Sequence, residues 1–161
     1  RSLRQYMQNQ PRSLADMKEW LCEENWTPGA YCCSYPGFID CFRMEARVAE
    51  RGKRQGVLLA CTIENKNGSW IEDESALHLE MEKLDRVVCQ HLRRGDIYTR
   101  YSKEQILILA NDLRLEDADK IVNRITEAFW KVCGIETELQ VERIPLKSWL
   151  NSAKTCQNPP N

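Results

Sequence analysis

The sequence predicts an α+β domain, a ferredoxin-like βαββαβ core preceded by N-terminal helices, and three observations carry that expectation. Val57–Ile63 is an apolar run of strand length, and Thr137–Ile144 alternates apolar and polar residues until Pro145 ends it. Ser75–Leu92 and Leu115–Cys133 repeat apolar residues at helical spacing. Between those helices, Leu92–Ala110 reads as two short strands joined by a tight turn. Strand, helix, hairpin, helix, strand is the order of one sheet covered by two helices.

Composition narrows the class. A chain of 161 residues with 42% hydrophobic residues suits one domain with a real core and an appended segment. Its 23 basic and 24 acidic residues give a net charge of -1, so no overall electrostatic footprint points to direct nucleic-acid binding. No apolar run approaches membrane-spanning length and no signal-like stretch is present, so the expectation is a cytoplasmic piece of a longer chain. Eight cysteines do not make a disulfide framework in a chain with this much core, and Cys22, Cys32, Cys33 and Cys41 lack metal-binding spacing. Most are expected to be reduced, with Cys61 and Cys89 behaving as small hydrophobes in apolar segments.

In chain order, Arg1–Gln10 is a polar segment, and Ser13 with Asp16 opens a helix to about Glu24 whose apolar face is Leu14, Met17 and Leu21. Trp20 and Trp26 are its expected anchors. Trp26-Thr27-Pro28-Gly29 signals a turn, and Tyr35-Pro36 opens a helix to about Arg54 with Ile39, Phe42, Ala46 and Ala49 on one face. The strand at 57–63 is followed by a polar loop, then by the helix carrying Leu77, Met81, Leu84, Val88 and Leu92. In the hairpin, Ile97, Thr99 and Tyr101 alternate with Tyr98 and Arg100, Ser102-Lys103-Glu104 forms the tip, and Ile106–Leu109 suits a strand buried on both faces. Ala118, Ile121, Val122, Ile125 and Phe129 face the core from the last helix, with Glu116 and Asp117 at its favourable N-terminal end.

The hairpin carries a resemblance. Arg93-Arg94-Gly95-Asp96, then IYTRY, then Ser102-Lys103-Glu104-Gln105-Ile106 resembles the GGDEF family, the bacterial diguanylate cyclase domains, in which an Arg-x-x-Asp pair precedes the signature at this distance. The resemblance implies the same nucleotide cyclase-like order of elements from about Pro36 to Leu146. Residues 29–55 also resemble the region joining a bacterial transcriptional activator domain to a GGDEF-like domain in large regulators. Together these imply residues 1–35 as a helical linker or the end of an upstream domain, 36–150 as the GGDEF-like domain and 151–161 as a mobile tail. The partners implied are upstream regulator domains, a second copy and a cyclic dinucleotide.

Cyclisation requires metal ions held by carboxylates, and the family's two signature glycines let the backbone approach phosphates. Here Ser102 and Lys103 replace those glycines, Gln105 replaces the next acid, and Glu104 alone matches a metal-binding position. The first-strand acid falls on Cys61, or on Thr62 if the alignment slips by one. The base-reading positions fall near Ser69 and His78 instead of Asn and Asp. The expectation is therefore no catalytic residue, no metal and no cofactor. His78 and His91 read as helix-surface residues, and Arg94-Gly95-Asp96 as a helix end before a strand, not an adhesion motif. The resemblance also implies a cyclic di-GMP site at Arg93, Asp96 and Arg124, since arginine forks bind guanine edges and phosphates and an aspartate accepts from guanine N–H groups. A plain Asp96–Arg124 salt bridge is the alternative for those residues. Three functions stay open: an inactive regulatory module, a cyclic dinucleotide receptor and an active cyclase.

Overall fold

The computed structural model describes residues 13–23, 28–52 and 54–148, so the segment 1–10, Trp26 and the tail from Asn151 lie outside the described residues. Helix α1 spans Leu14–Leu21, with the Ser13 hydroxyl accepting from the Asp16 N–H at 3.2 Å. On its apolar face Leu14 is 81% and Leu21 78% exposed, while Met17 is partly buried. Then come β1 (Tyr31–Cys32), α2 (Tyr35–Glu50), β2 (Gly56–Asn65), α3 (Glu74–His91), β3 (Ile97–Arg100), β4 (Gln105–Asn111), α4 (Leu115–Trp130) and β5 (Thr137–Pro145). Both ends of α3 and the start of α4 fall within a residue of the periodicity. Helix α2 stops at Glu50, ahead of Gly52 at φ +72.

The sheet order is β1-β3-β4-β2-β5. Within it, β2 to β5 form the expected ferredoxin-like core, with β2 antiparallel to both β4 and β5. Alternation along β2 divides the two faces. Val57, Leu59, Cys61 and Ile63 are fully buried against α3 and α4, together with Leu84, Val88, Ile121, Ile125 and Phe129. Every apolar residue expected at helical spacing on α3 and α4 lies in this cluster.

Two features depart from the two-helix, one-sheet expectation. Strand β1 pairs in parallel with β3, Tyr31 opposite Ile97 and Cys32 opposite Tyr98, and so adds a fifth strand ahead of residue 36. Two residues are too few for any periodicity to register. Gly29 makes the approach possible: its φ is +96 and a Cβ there would stand 2.2 Å from the Cys89 carbonyl oxygen. Helix α2 is also a third covering element, on the opposite face, where Phe38 and the partly buried Phe42 pack on Leu109, Leu58, Ile97 and Leu107. The apolar run Ile106–Leu109 is buried on both faces because α3 and α4 cover one and α2 the other.

Candidate functional site

Strand register decides which residues of the hairpin and the first core strand meet. Cys61 pairs with Ile106 and Thr62 with Gln105, and the Ile63 N–H donates to the Glu104 carbonyl at 2.9 Å. Residues opposite each other across a ladder point to the same face, so Cys61 and Glu104 share the α3 side of the sheet as diagonal neighbours. Thr62 faces the other way, its hydroxyl accepting from the Gln105 amide at 3.1 Å. Of the two residues, it is Cys61 that shares a face with Glu104. Its side chain is fully buried, and burial pushes the thiol up to about 12. A neutral thiol in an apolar core offers a hard cation nothing. Among the described residues no three His, Cys, Asp or Glu side chains are grouped to hold a metal.

Between the first turns of α3 and the hairpin tip lies a cleft of about 440 Å³ lined by Glu74, Leu77, His78, Met81, Arg100, Ser102 and Lys103. Its charges are internally paired. Lys103, at the hairpin tip, ion-pairs with Glu74 at 2.9 Å, which raises the lysine's pKa. Arg100 loses some stability of its charge to desolvation but gains more from Glu82 (2.8 Å) and Asp85 (2.5 Å), so its pKa rises on balance. The Tyr98 hydroxyl donates to Asp85 at 2.8 Å, and burial followed by that carboxylate pushes its pKa upward. His78 stands on the cleft wall with 70% of its side chain exposed, 3.8 Å from Glu82.

At the opposite end of the sheet, Asp96 is 1% exposed. Its carboxylate accepts from the Arg93 N–H (2.9 Å), the Asn111 N–H (3.1 Å) and the Arg93 guanidinium (3.4 Å). The guanidinium also donates to the Asn111 carbonyl, and the Asn111 amide donates to Gly95 C=O at 2.9 Å. The expected Asp96–Arg124 bridge does not form. Asp96 sits three residues after Arg93 in a turn, with its N–H bonded to Arg93 C=O, and that local geometry points the carboxylate back at the turn instead of at α4. Arg124 is exposed on α4, with no ion pair among the described residues.

Asn111 is the site residue missed in the sequence. Counting the hairpin register outward from Ile97 opposite Leu109 puts Asn111 opposite Gly95, so the signal existed in the turn length. Its Oδ1 is buried and lacks a hydrogen-bond partner among the described residues. The described cysteines are free thiols, and Cys33 is pushed up to about 11 by burial and then by the neighbouring Cys41.

No family model and no curated protein matches the sequence. Solved structures do match. A DGC protein from Thermotoga maritima superposes with a TM-score of 0.61 at 14% identity, covering 78% of this chain and 94% of that one. The FimX GGDEF domain from Pseudomonas aeruginosa gives 0.58 at 13% identity, over 76% and 85% of the two chains. The GGDEF domain of DgcB from Caulobacter crescentus, solved in complex with c-di-GMP, gives 0.57 at 8% identity, over 84% and 92%. No helix among the described residues is long and apolar enough to cross a membrane. Superposing over most of their length at these scores, the chain has the fold of GGDEF diguanylate cyclase domains.

Proposed function

We propose that this chain is a catalytically inactive GGDEF-like regulatory module, cytoplasmic and set beside the transcriptional-regulator domains that residues 29–55 resemble. It acts through protein contacts, through a bound effector, or both. One observation carries the reading: the face that places Glu104 beside the first strand offers it a buried, neutral Cys61 in place of a second carboxylate. Metal-assisted attack by a ribose hydroxyl needs paired hard anions to hold the cation and lower the hydroxyl's pKa. The occupied glycine positions act in the same direction, since Lys103 already neutralises Glu74 across the cleft.

Incubation with GTP and Mg²⁺ or Mn²⁺ is expected to give no cyclic dinucleotide. Restoring glycine at 102 and 103 together leaves it inactive, because the acid at 61 is still missing. Product made by the wild type and lost in Glu104→Ala refutes the proposal.

A second reading, a cyclic di-GMP receptor at Arg93, Asp96 and Arg124, is favoured by the half-exposed Arg93 guanidinium and the exposed Arg124. The DgcB neighbour in complex with c-di-GMP adds to it. In this reading Asp96 positions Arg93 and the two arginines meet the ligand. Calorimetry with cyclic di-GMP on wild type, Arg93→Ala and Arg124→Ala tests it. Each loss is expected to weaken binding by about ten- to a hundredfold. No heat with the wild type removes the receptor reading and leaves the first intact.

A further inference from the structure

One cysteine precedes helix α2 and another stands in its second turn. Cys33 is 8% exposed, packs with Phe38 and Leu109, and is held to the sheet by its N–H, which donates to Tyr98 C=O at 2.8 Å. Cys41 is exposed. The way the chain enters the helix brings the two together. Ser34 caps the first turn, its hydroxyl accepting from the Gly37 N–H at 3.2 Å, and Cys33 comes to lie beside Gly37, where an added Cβ would stand 4.0 Å from the Cys33 Cβ. Cys41 follows Gly37 by four residues, one turn along the same face, and helical side chains lean toward the N-terminus. Its thiol therefore leans over a residue that has no side chain of its own. In that gap the Cys33 and Cys41 side chains meet in a hydrogen bond. Cys32, next along the extended segment, points the other way and sets its thiol against the Tyr98 hydroxyl.

We propose that Cys33 and Cys41 are a reversible redox pair, closed to an intramolecular disulfide by a peroxide and reopened by a dithiol. Cys41 reacts first because it is the exposed member. Its thiolate attacks a peroxide oxygen: an S–O bond forms, the O–O bond breaks, and the departing oxygen takes up a proton, leaving a sulfenic acid at Cys41. Burial, and then Cys41 itself, pushes the Cys33 thiol up to about 11, so Cys33 is a poor first target and a resolving thiol instead. Its sulfur attacks the sulfenic sulfur beside it; the S–S bond forms, the S–O bond breaks, and the Cys33 proton leaves with the hydroxyl as water. The two sulfurs together have given two electrons to the peroxide. A dithiol returns them by exchange and is itself left as a disulfide. The bond ties the second turn of α2 to a residue whose backbone is already bonded to β3, so oxidation locks the helix that covers the second face onto the edge of the sheet. In a reducing compartment such a bond is transient, as a sensor requires.

Peptide mapping of the peroxide-treated full chain tests the pair. The reduced protein, at low concentration, is treated with a slight excess of hydrogen peroxide, its remaining thiols are blocked in denaturant, and the chain is cut before Asp40, which separates Cys33 from Cys41. Wild type is expected to lose two of its eight thiols, to regain both with dithiothreitol, and to yield one linked peptide pair joining residues 33 and 41. Cys32→Ala keeps that link, whereas Cys33→Ala and Cys41→Ala lose it. With no resolving thiol in Cys33→Ala, labelling of the Cys41 sulfenic acid by dimedone rises several-fold above wild type. Amide exchange in the first two turns of α2 slows on oxidation of wild type and not of Cys41→Ala. A disulfide from Cys41 to any other cysteine overturns the proposal. So does a wild type in which Cys33 and Cys41 stay thiols while other cysteines oxidise, or equal dimedone labelling of wild type and Cys33→Ala; unchanged exchange in the oxidised wild type removes the lock.

Discussion

Removing the Asp96 carboxylate is the most informative single change, because it separates a structural bracket from a ligand-binding acid. The side chain is 1% exposed and holds two backbone amides, those of Arg93 and Asn111, closing the helix end of β3 onto the far end of β4. Each amide orphaned by Asp96→Ala costs about 1–3 kcal/mol. The Arg93 guanidinium, half exposed and 3.4 Å away, adds less than about 1 kcal/mol. Asp96→Ala is therefore expected to lose about 4 kcal/mol, a large part of the stability of a typical domain. Asp96→Asn keeps one acceptor and presents an N–H₂ to a donor, so about 2 kcal/mol is expected. At about 3–4 °C per kcal/mol for a domain of this size, the Ala variant melts about 12–16 °C lower. Urea denaturation followed by circular dichroism, with Arg124→Ala as the exposed control staying within about 0.5 kcal/mol of wild type, measures all three. If both Asp96 variants unfold with the wild type, or if Arg124→Ala costs as much as Asp96→Ala, the bracket described above is wrong.

Three further outcomes are expected. Cys61→Asp puts a carboxylate in the apolar core and is expected to cost more than about 3 kcal/mol in denaturation without creating a cation site; stabilisation of that variant by Mg²⁺ contradicts this. Gly29→Ala places a Cβ against the Cys89 carbonyl at positive φ, so it is expected to release β1 and cost about 2 kcal/mol or more, and unchanged hydrogen-exchange protection at the Tyr31 and Cys33 amides counts against it. Because burial raises the Cys61 thiol from 9.0 to about 12, its contribution to stability is complete below about pH 9 and is lost as pH rises toward 12, when the unfolded thiol ionises and the folded one does not. The loss is at most about 1.4 kcal/mol per pH unit, and a Cys61→Val variant whose alkaline stability curve matches wild type refutes it.

What the sequence determined by itself was everything that repeats locally. The strand from Thr137 and the helices carrying Leu84 and Ile125 were legible because each buries one face, and burial of one face imposes a period; the strand from Val57 was legible as an apolar run of strand length, which a strand covered on both faces requires. The spacing from Asp96 to Ser102 led to the GGDEF resemblance, and the solved structures bear out its fold. Tertiary structure decided what has no local period. Strand β1 exists only because Tyr31 finds Ile97 across a long stretch of chain, with Gly29 clearing the way. Helix α2 covers the second face because Phe38 and Phe42 meet Leu58 and Leu107 there, contacts that an amphipathic pattern announces without saying with what. Asp96 was legible as a charged residue beside arginines, but its partners were fixed by a turn that points the carboxylate at Arg93 and by a hairpin register that brings in Asn111. Cys61, and not Thr62, faces Glu104 for the same reason: a strand's side chains alternate, and a shift of one residue in register reverses the face of every one of them.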